Sequence, residues 1–181
     1  MNIAREPQLM TVEDFDALDE ENDQKRYELI DGVIHLLSSP SAEHTECQVN
    51  LLRDISTSLL TAKSKCRCYN DFNLQIDTHN VIKPDIMVIC DRDQLTSQRF
   101  FGVPLIVIEI LSPSTRRNDM LYKLNKYHDI GVSEYWLADP AVQTLTVYDF
   151  ANDDIILYTL TDTVQSKAMP EIGIPVSRIF M

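Results

Sequence analysis

Glycine is scarce in this 181-residue chain: four residues, none of them in a glycine-rich run. That excludes a backbone loop of the kind that cradles phosphates or opens a dinucleotide-binding helix. No G-x-S-x-G elbow surrounds any serine, which removes the serine hydrolases built on that turn. Cysteine is limited to Cys47, Cys66, Cys68 and Cys90, which fall in one expected helix and two expected strands. In an intracellular-looking chain a disulfide framework is not expected, and with no second Cys or His pair at zinc-site spacing neither is a structural zinc. Long hydrophobic runs are missing, and the N-terminus MNIAREPQLMTVEDF has no apolar signal core and no basic transit pattern. The expectation is a cytoplasmic protein of one domain, since 181 residues with 44% hydrophobic content are too few for two ordinary ones.

Positive charge is also short, with 16 Lys and Arg against 28 Asp and Glu and a net charge of −12. Affinity for phosphates comes largely from Lys and Arg, so the balance argues against a uniformly basic nucleic-acid binder. The acids, however, concentrate toward the two ends. Within Ser112–His128, Arg116, Arg117, Lys123 and Lys126 stand against one acid, Asp119. This is either a local basic site that could meet nucleic acid or a solvated helix face.

What the chain does have is the stretch VPLIVIEILSPSTRRNDMLYKLNKYHDIGVSEYWLADP, which reads as strand, helix, strand. Leu105–Ile110 is apolar except for Glu109, a pattern that suits a strand covered on both faces. A carboxylate there needs a cation, a metal or a proton beside it. The following helix, capped by Ser114 or Thr115 and ended by Gly131, places Met120, Leu124, Tyr127 and Ile130 on one apolar arc. Lys123 lies inside that arc and points at the sheet, whereas Lys126 lies at its edge; the plainer reading of Lys123 is a snorkelling side chain. Asp119, four residues before Lys123, makes an i,i+4 ion pair or positions the ammonium. Tyr127 packs with its hydroxyl bonded, and Ser112 caps the helix or bonds the site.

Earlier in the chain, Thr11 caps a short helix to about Asn22, and Arg26–Leu37 forms two strands about the tight turn Asp31-Gly32. Glu28, on the first of them, is either an exposed strand residue or a further carboxylate aimed at the site. Ser41 caps a long helix to about Lys63, with His44 at the N-terminal end of its buried face. Arg67–Ile76 reads as one strand. Pro84-Asp85 opens the apolar strand DIMVIC, so that two short strands each carry one acid and are followed by a helix with an inward lysine. That set suits metal-assisted phosphodiester cleavage: two carboxylates hold Mg²⁺ or Mn²⁺, the metal polarises phosphate and water, and the lysine steadies the charged transition state. Val132–Ala138 should lie parallel to the Glu109 strand, Thr144–Phe150 and Ile155–Leu160 should form a hairpin, and Pro170–Met181 reads as a tail with one short extended piece.

RYELIDG, SSPSAEH, KPDIMVICDR, VPLIVIEILSPST, DMLYKLNKY and GVSEYWLADP with TLTVYDF resemble, in order and spacing, the Uma-type putative restriction endonucleases of the PD-(D/E)XK superfamily, over roughly residues 11–180. The resemblance implies an α/β fold with a restriction-endonuclease-like core, a mixed central β-sheet flanked by helices and extended by β-hairpins. It implies a Mg²⁺-dependent endonuclease site, with Asp85 at the PD aspartate and Glu109 at the second acid. The superfamily's lysine position is Leu111 here, and Lys123 matches the lysine that the Uma-type branch displaces to the next helix. DNA is the expected substrate, and a homodimer follows if both strands of a duplex are cut. The alternative is a nuclease fold without turnover that serves as a nucleic-acid-binding or protein-interaction module. A purely structural core predicts instead a direct Glu109–Lys123 pair.

Overall fold

The computed structural model describes residues 9–21, 26–113 and 118–181. Its elements are α1 (Val12–Glu21), β1 (Arg26–Ile30), β2 (Val33–Leu37), α2 (Ala42–Thr61), β3 (Arg67–Asn70), β4 (Asn73–Asp77), β5 (Asn80–Ile82), β6 (Ile86–Ile89), β7 (Arg99–Phe100) and β8 (Ile106–Ile110). A π-helical segment (Asn118–Lys123) runs into α3 (Leu124–Asp129), and β9 (Glu134–Asp139), β10 (Thr144–Asp149), β11 (Asp154–Tyr158), β12 (Thr163–Gln165) and β13 (Gly173–Pro175) complete the chain with a 3₁₀ turn at Val176–Arg178.

Two sheets carry the fold. One has the order β2-β1-β5-β4-β7 and the other β11-β10-β9-β8-β6-β3, while β12 and β13 pair separately. The larger sheet is mixed: β8 and β9 are parallel, as a strand–helix–strand crossover requires, and its other pairings are antiparallel. One apolar core lies between α2, one face of this sheet and the C-terminal residues, and includes Leu51, Ile55, Ile108, Trp136 and Ile174. A second fills the opposite face, where Met87, Val107, Tyr135 and Leu137 meet Ile30, Leu74, Ile82 and Phe100 of the smaller sheet and Tyr127 of α3.

Local chemistry explains most boundaries. Thr11 and Asp14 cap α1 reciprocally, and Ser41 Oγ accepts from the His44 N–H at the start of α2. Asp31 (φ 50°) and Gly32 (φ 70°) give the two left-handed positions that a two-residue hairpin needs, and Gly32 also lies where a Cβ would meet Leu9.

Three expectations fail. Arg67–Ile76 is two strands, because Asp71 adopts φ 48° and sends β3 and β4 into different sheets. The C-terminal segment is core, not tail: Ile172, Ile174, Val176 and Ile179 are buried and Arg178 bonds Asp54 at 2.8 Å. Cys66 and Cys90 form a disulfide. Continuing the β3–β6 register from Arg67↔Ile89 sets these two opposite each other, a tertiary adjacency that their sequence separation of 24 hides. Cys47 and Cys68 remain thiols, and burial pushes both up to about 12.

Candidate active site

The β6–β8 register puts the first two acids together. Continuing from Ile86↔Ile108, Asp85 faces Glu109 across the ladder, and residues opposite each other point to the same side. The backbone locks the pair: the Ile110 N–H donates to Asp85 Oδ2 at 2.7 Å and the Asp85 N–H reaches Glu109 Oε2 at 3.4 Å. Both side chains project toward the smaller sheet, from which β1 sends Glu28.

The helical segment after β8 completes the cluster. Lys123 Nζ lies 2.8 Å from Glu28 Oε1, 3.0 Å from Glu109 Oε1 and 3.3 Å from Asp119 Oδ1. Tyr127 donates its hydroxyl to Glu109 Oε1 at 2.7 Å, and the Lys83 N–H donates to Glu28 Oε1 at 2.9 Å. Glu28, Glu109, Asp119 and Lys123 are each no more than 3% exposed. From the start of α2, His44 Nε2 sits 3.2 Å from Asp85 Oδ1. Thus Glu28 is not an exposed strand residue, and His44 touches a site carboxylate. Tyr127 is core with its hydroxyl bonded.

Met120 departs from expectation. It is 39% exposed, although a regular α-helix would put it on the inward arc. The segment begins in π-helical geometry, whose wider turn rephases the residues before Leu124 and brings Asp119, Lys123 and Tyr127 inward in steps of four. Lys126 is bonded to Asp31 in the β1–β2 turn. The expected caps Ser114 and Thr115, and the expected phosphate contacts Arg116 and Arg117, lie outside the described residues.

A cavity of about 460 Å³ opens onto this cluster, and Asp85, Glu109, Glu28, Asp119 and Lys123 line its base. Its walls include Ser38–Ser41, Ser112-Pro113 and Pro140-Ala141. Leu111, at the superfamily's lysine position, lines the same cavity and is buried. Sequence reasoning missed Arg26 and Lys83 as lining residues; Lys83 was detectable, since two steps from Asp85 in extended chain place it on the same side.

Charge within the cavity is unbalanced. Glu28, Glu109 and Asp119 share one ammonium, that of Lys123, and Asp85 has His44, while Arg26, Glu43 and Lys83 also line the cavity. Burial holds the Glu109 carboxyl well above the usual range; Lys123 opposes that shift, while Asp119, Asp85 and Glu28 add to it. Burial pushes the Lys123 ammonium down, but Glu109, Glu28 and Asp119 outweigh it and hold it well above a free lysine. His44 is likewise raised: burial lowers it, and its bond to Asp85 overrides that.

The donors suit a hard divalent cation. They are carboxylate oxygens, and their clustered negative charge is of the sign that such an ion neutralises. Among the described residues no group of three or more His, Cys, Asp or Glu side chains could hold a metal, so no cage made wholly of protein is present there. Mg²⁺ does not need one, because it is commonly held by one or two carboxylates with water and phosphate completing its shell.

Comparison with known proteins places this architecture. The family model Uma2, described as putative restriction endonuclease, matches residues 12–177. The chain belongs to the Uma2 family. It is 30% identical over 157 residues to the uncharacterized protein slr1290 of Synechocystis sp., covering 83% of this chain and 81% of that one. Its fold matches that of a protein from Anabaena variabilis described as a putative nuclease belonging to DUF820, with a TM-score of 0.78, 21% identity, and coverage of 94% of this chain and 97% of that one. As a Uma2 member the chain has the restriction-endonuclease-like fold that its motifs imply, and the acid cluster lies where strands of the mixed sheet adjoin.

Proposed function

We propose that this protein is a divalent-metal-dependent endonuclease, most directly a Mg²⁺-dependent endodeoxyribonuclease that hydrolyses DNA phosphodiester bonds, with its working unit spanning roughly residues 11–180. One observation carries the reading: Glu28, Asp85, Glu109 and Asp119 converge on one cavity and, among the described residues, Lys123 is the one lysine ion-paired within that cluster, a concentration of negative charge that a folded protein retains at a cost unless it serves a cation. Asp85 and Glu109 would hold Mg²⁺ or Mn²⁺. When bound, the cation supplies positive charge to the phosphate and acidifies a water.

The chain's own groups do the rest. Glu109, fixed by Tyr127 and Lys123, presents its second oxygen beside Asp85. Lys123 carries the positive charge needed near a phosphate as negative charge builds on its oxygens, and Glu28 and Asp119 hold that ammonium in place. His44 fixes the orientation of Asp85. Arg116 and Arg117 remain the proposed contacts for phosphates beyond the cavity; Lys126 joins them only by leaving Asp31. The described cavity is built within one chain, so a homodimer is a separate proposition, tested by sedimentation.

A second reading has its own support. The direct Lys123–Glu109 contact is also what a nuclease fold without turnover would have, acting as a binding module or keeping the cluster as structural core. Incubating supercoiled plasmid and single-stranded DNA with purified protein in Mg²⁺, Mn²⁺ or chelator separates the two. The nuclease reading predicts metal-dependent cutting that Asp85→Ala, Glu109→Ala and Lys123→Ala each abolish while the fold persists. Absence of cutting in both metals supports the module instead.

A further inference from the structure

Two features of the cavity bear on which form of nucleic acid can enter, and the inference rests on the nucleic-acid reading above. The first is depth. Glu109 and Lys123 are 2% and 3% exposed, and only Asp85, with its side chain 14% exposed, is touched appreciably by solvent. Three wall segments, Ser38–Ser41 after β2, Ser112-Pro113 after β8 and Pro140-Ala141 after β9, stand around these groups, and each contains a proline. A phosphate must therefore leave the plane of its neighbours to reach the acids. A duplex is stiff over far more than a cavity's width and holds its phosphates on a regular cylinder, so bringing one into a recess of about 460 Å³ requires bending or kinking it, at a cost of about 1–6 kcal/mol. An unpaired strand bends freely. The net charge of −12 works in the same direction, because a duplex carries the denser phosphate charge.

The second feature is Lys83. Most cations lining the cavity are already committed: Arg26 to Asp71, His44 to Asp85, and Lys123 to three carboxylates. Lys83 lines the same cavity, is half-buried, and has no ion-pair partner among the described residues. Its backbone, two residues before Asp85, is clamped by the bond from its N–H to Glu28. A lysine beside four carboxylates that pairs with none of them is placed to meet an anion entering from outside.

We propose that the cavity receives a single, unpaired nucleic-acid strand and that Lys83 binds the phosphate next to the one presented to Asp85 and Glu109. Lys83 is a substrate-binding residue in this account.

The test measures binding, not cutting. Fluorescein-labelled single-stranded and blunt duplex DNA of one sequence are titrated with the full chain in Ca²⁺, over a range of KCl concentrations, by anisotropy. The single strand should bind at least about tenfold more tightly than the duplex, since the duplex must be deformed first. Lys83→Gln should weaken single-strand binding and lower the slope of log K against log salt by about 0.7, the value for one phosphate contact on a single strand, while Lys83→Arg should restore it. A packing role for Lys83 would leave the slope unchanged. Equal or tighter duplex binding, no binding of either form, or an unaltered slope in Lys83→Gln overturns the proposal. Because the readout needs no cleavage, strand-selective binding without cutting in Mg²⁺ or Mn²⁺ would refute the nuclease reading alone. Cutting of duplex and single strand at equal rates would refute this inference alone.

Discussion

Replacing Lys123 by Met keeps most of the buried stem and removes only the ammonium. Three carboxylates lose their shared partner, at separations of 2.8, 3.0 and 3.3 Å. At an effective dielectric near 20, one such contact amounts to about 5 kcal/mol of Coulomb attraction. Desolvating the ammonium offsets much of it. Breaking a buried pair by removing one member costs about 3–5 kcal/mol, and the upper end applies here because Glu28, Glu109 and Asp119 are left crowded together. That is a large part of the roughly 5–15 kcal/mol that holds a domain folded. Trp136, the single tryptophan and fully buried, reports unfolding by fluorescence in urea. With a denaturant dependence of about 2 kcal/mol per molar, the midpoint should fall by about 2 M. Adding Glu109→Gln to Lys123→Met should recover part of the loss, because it removes one of the stranded charges. A Lys123→Met midpoint within about 0.3 M of the wild type would refute the reasoning, and so would strictly additive losses in the double variant.

Tyr127→Phe removes the hydroxyl donated to buried Glu109 and should cost about 1.5–3 kcal/mol in the same urea assay. Ile174→Ala tests whether the C-terminal segment is core; a loss of about 2–5 kcal/mol is expected, against nearly none for a loose tail. Asp149 should govern part of the acid sensitivity. Burial pushes its carboxyl up, but bonds from Asn152 and Lys167 outweigh burial and hold it below the usual value of 3.8. A depressed carboxyl stabilises the fold above its unfolded pKa and loses that contribution as pH falls through the folded one. Asp149→Asn should therefore be less stable than wild type at pH about 7, with the difference closing as the pH falls below the usual carboxylate value of 3.8.

The sequence made the site legible through two regularities. Alternation on strands put Asp85 and Glu109 on the same side once their strands were adjacent, and the helical wheel put Lys123 and Tyr127 on the sheet. What it could not supply was tertiary. Glu28 is ordinary on its own strand, and its burial depends on the second sheet closing over the first. The wheel failed at Met120 because a π-helical start cannot be told from an α-helical one by composition. The single-strand reading of Arg67–Ile76 failed at Asp71, whose left-handed backbone a non-glycine residue does not announce. The disulfide was hidden in a register, and the buried C-terminus in spaced isoleucines too few to reveal a period.

The proposed function requires that the carboxylates of half-buried Asp85 and buried Glu109 together hold a cation. Calorimetric titration of Mn²⁺ into the wild type, Asp85→Asn and Glu109→Gln tests it most directly, with Trp136 fluorescence confirming that each is folded. Saturable binding near one ion per chain, lost or weakened at least about tenfold in both variants, is the predicted result. No saturable binding to the wild type, or binding that both substitutions leave unchanged, would contradict it.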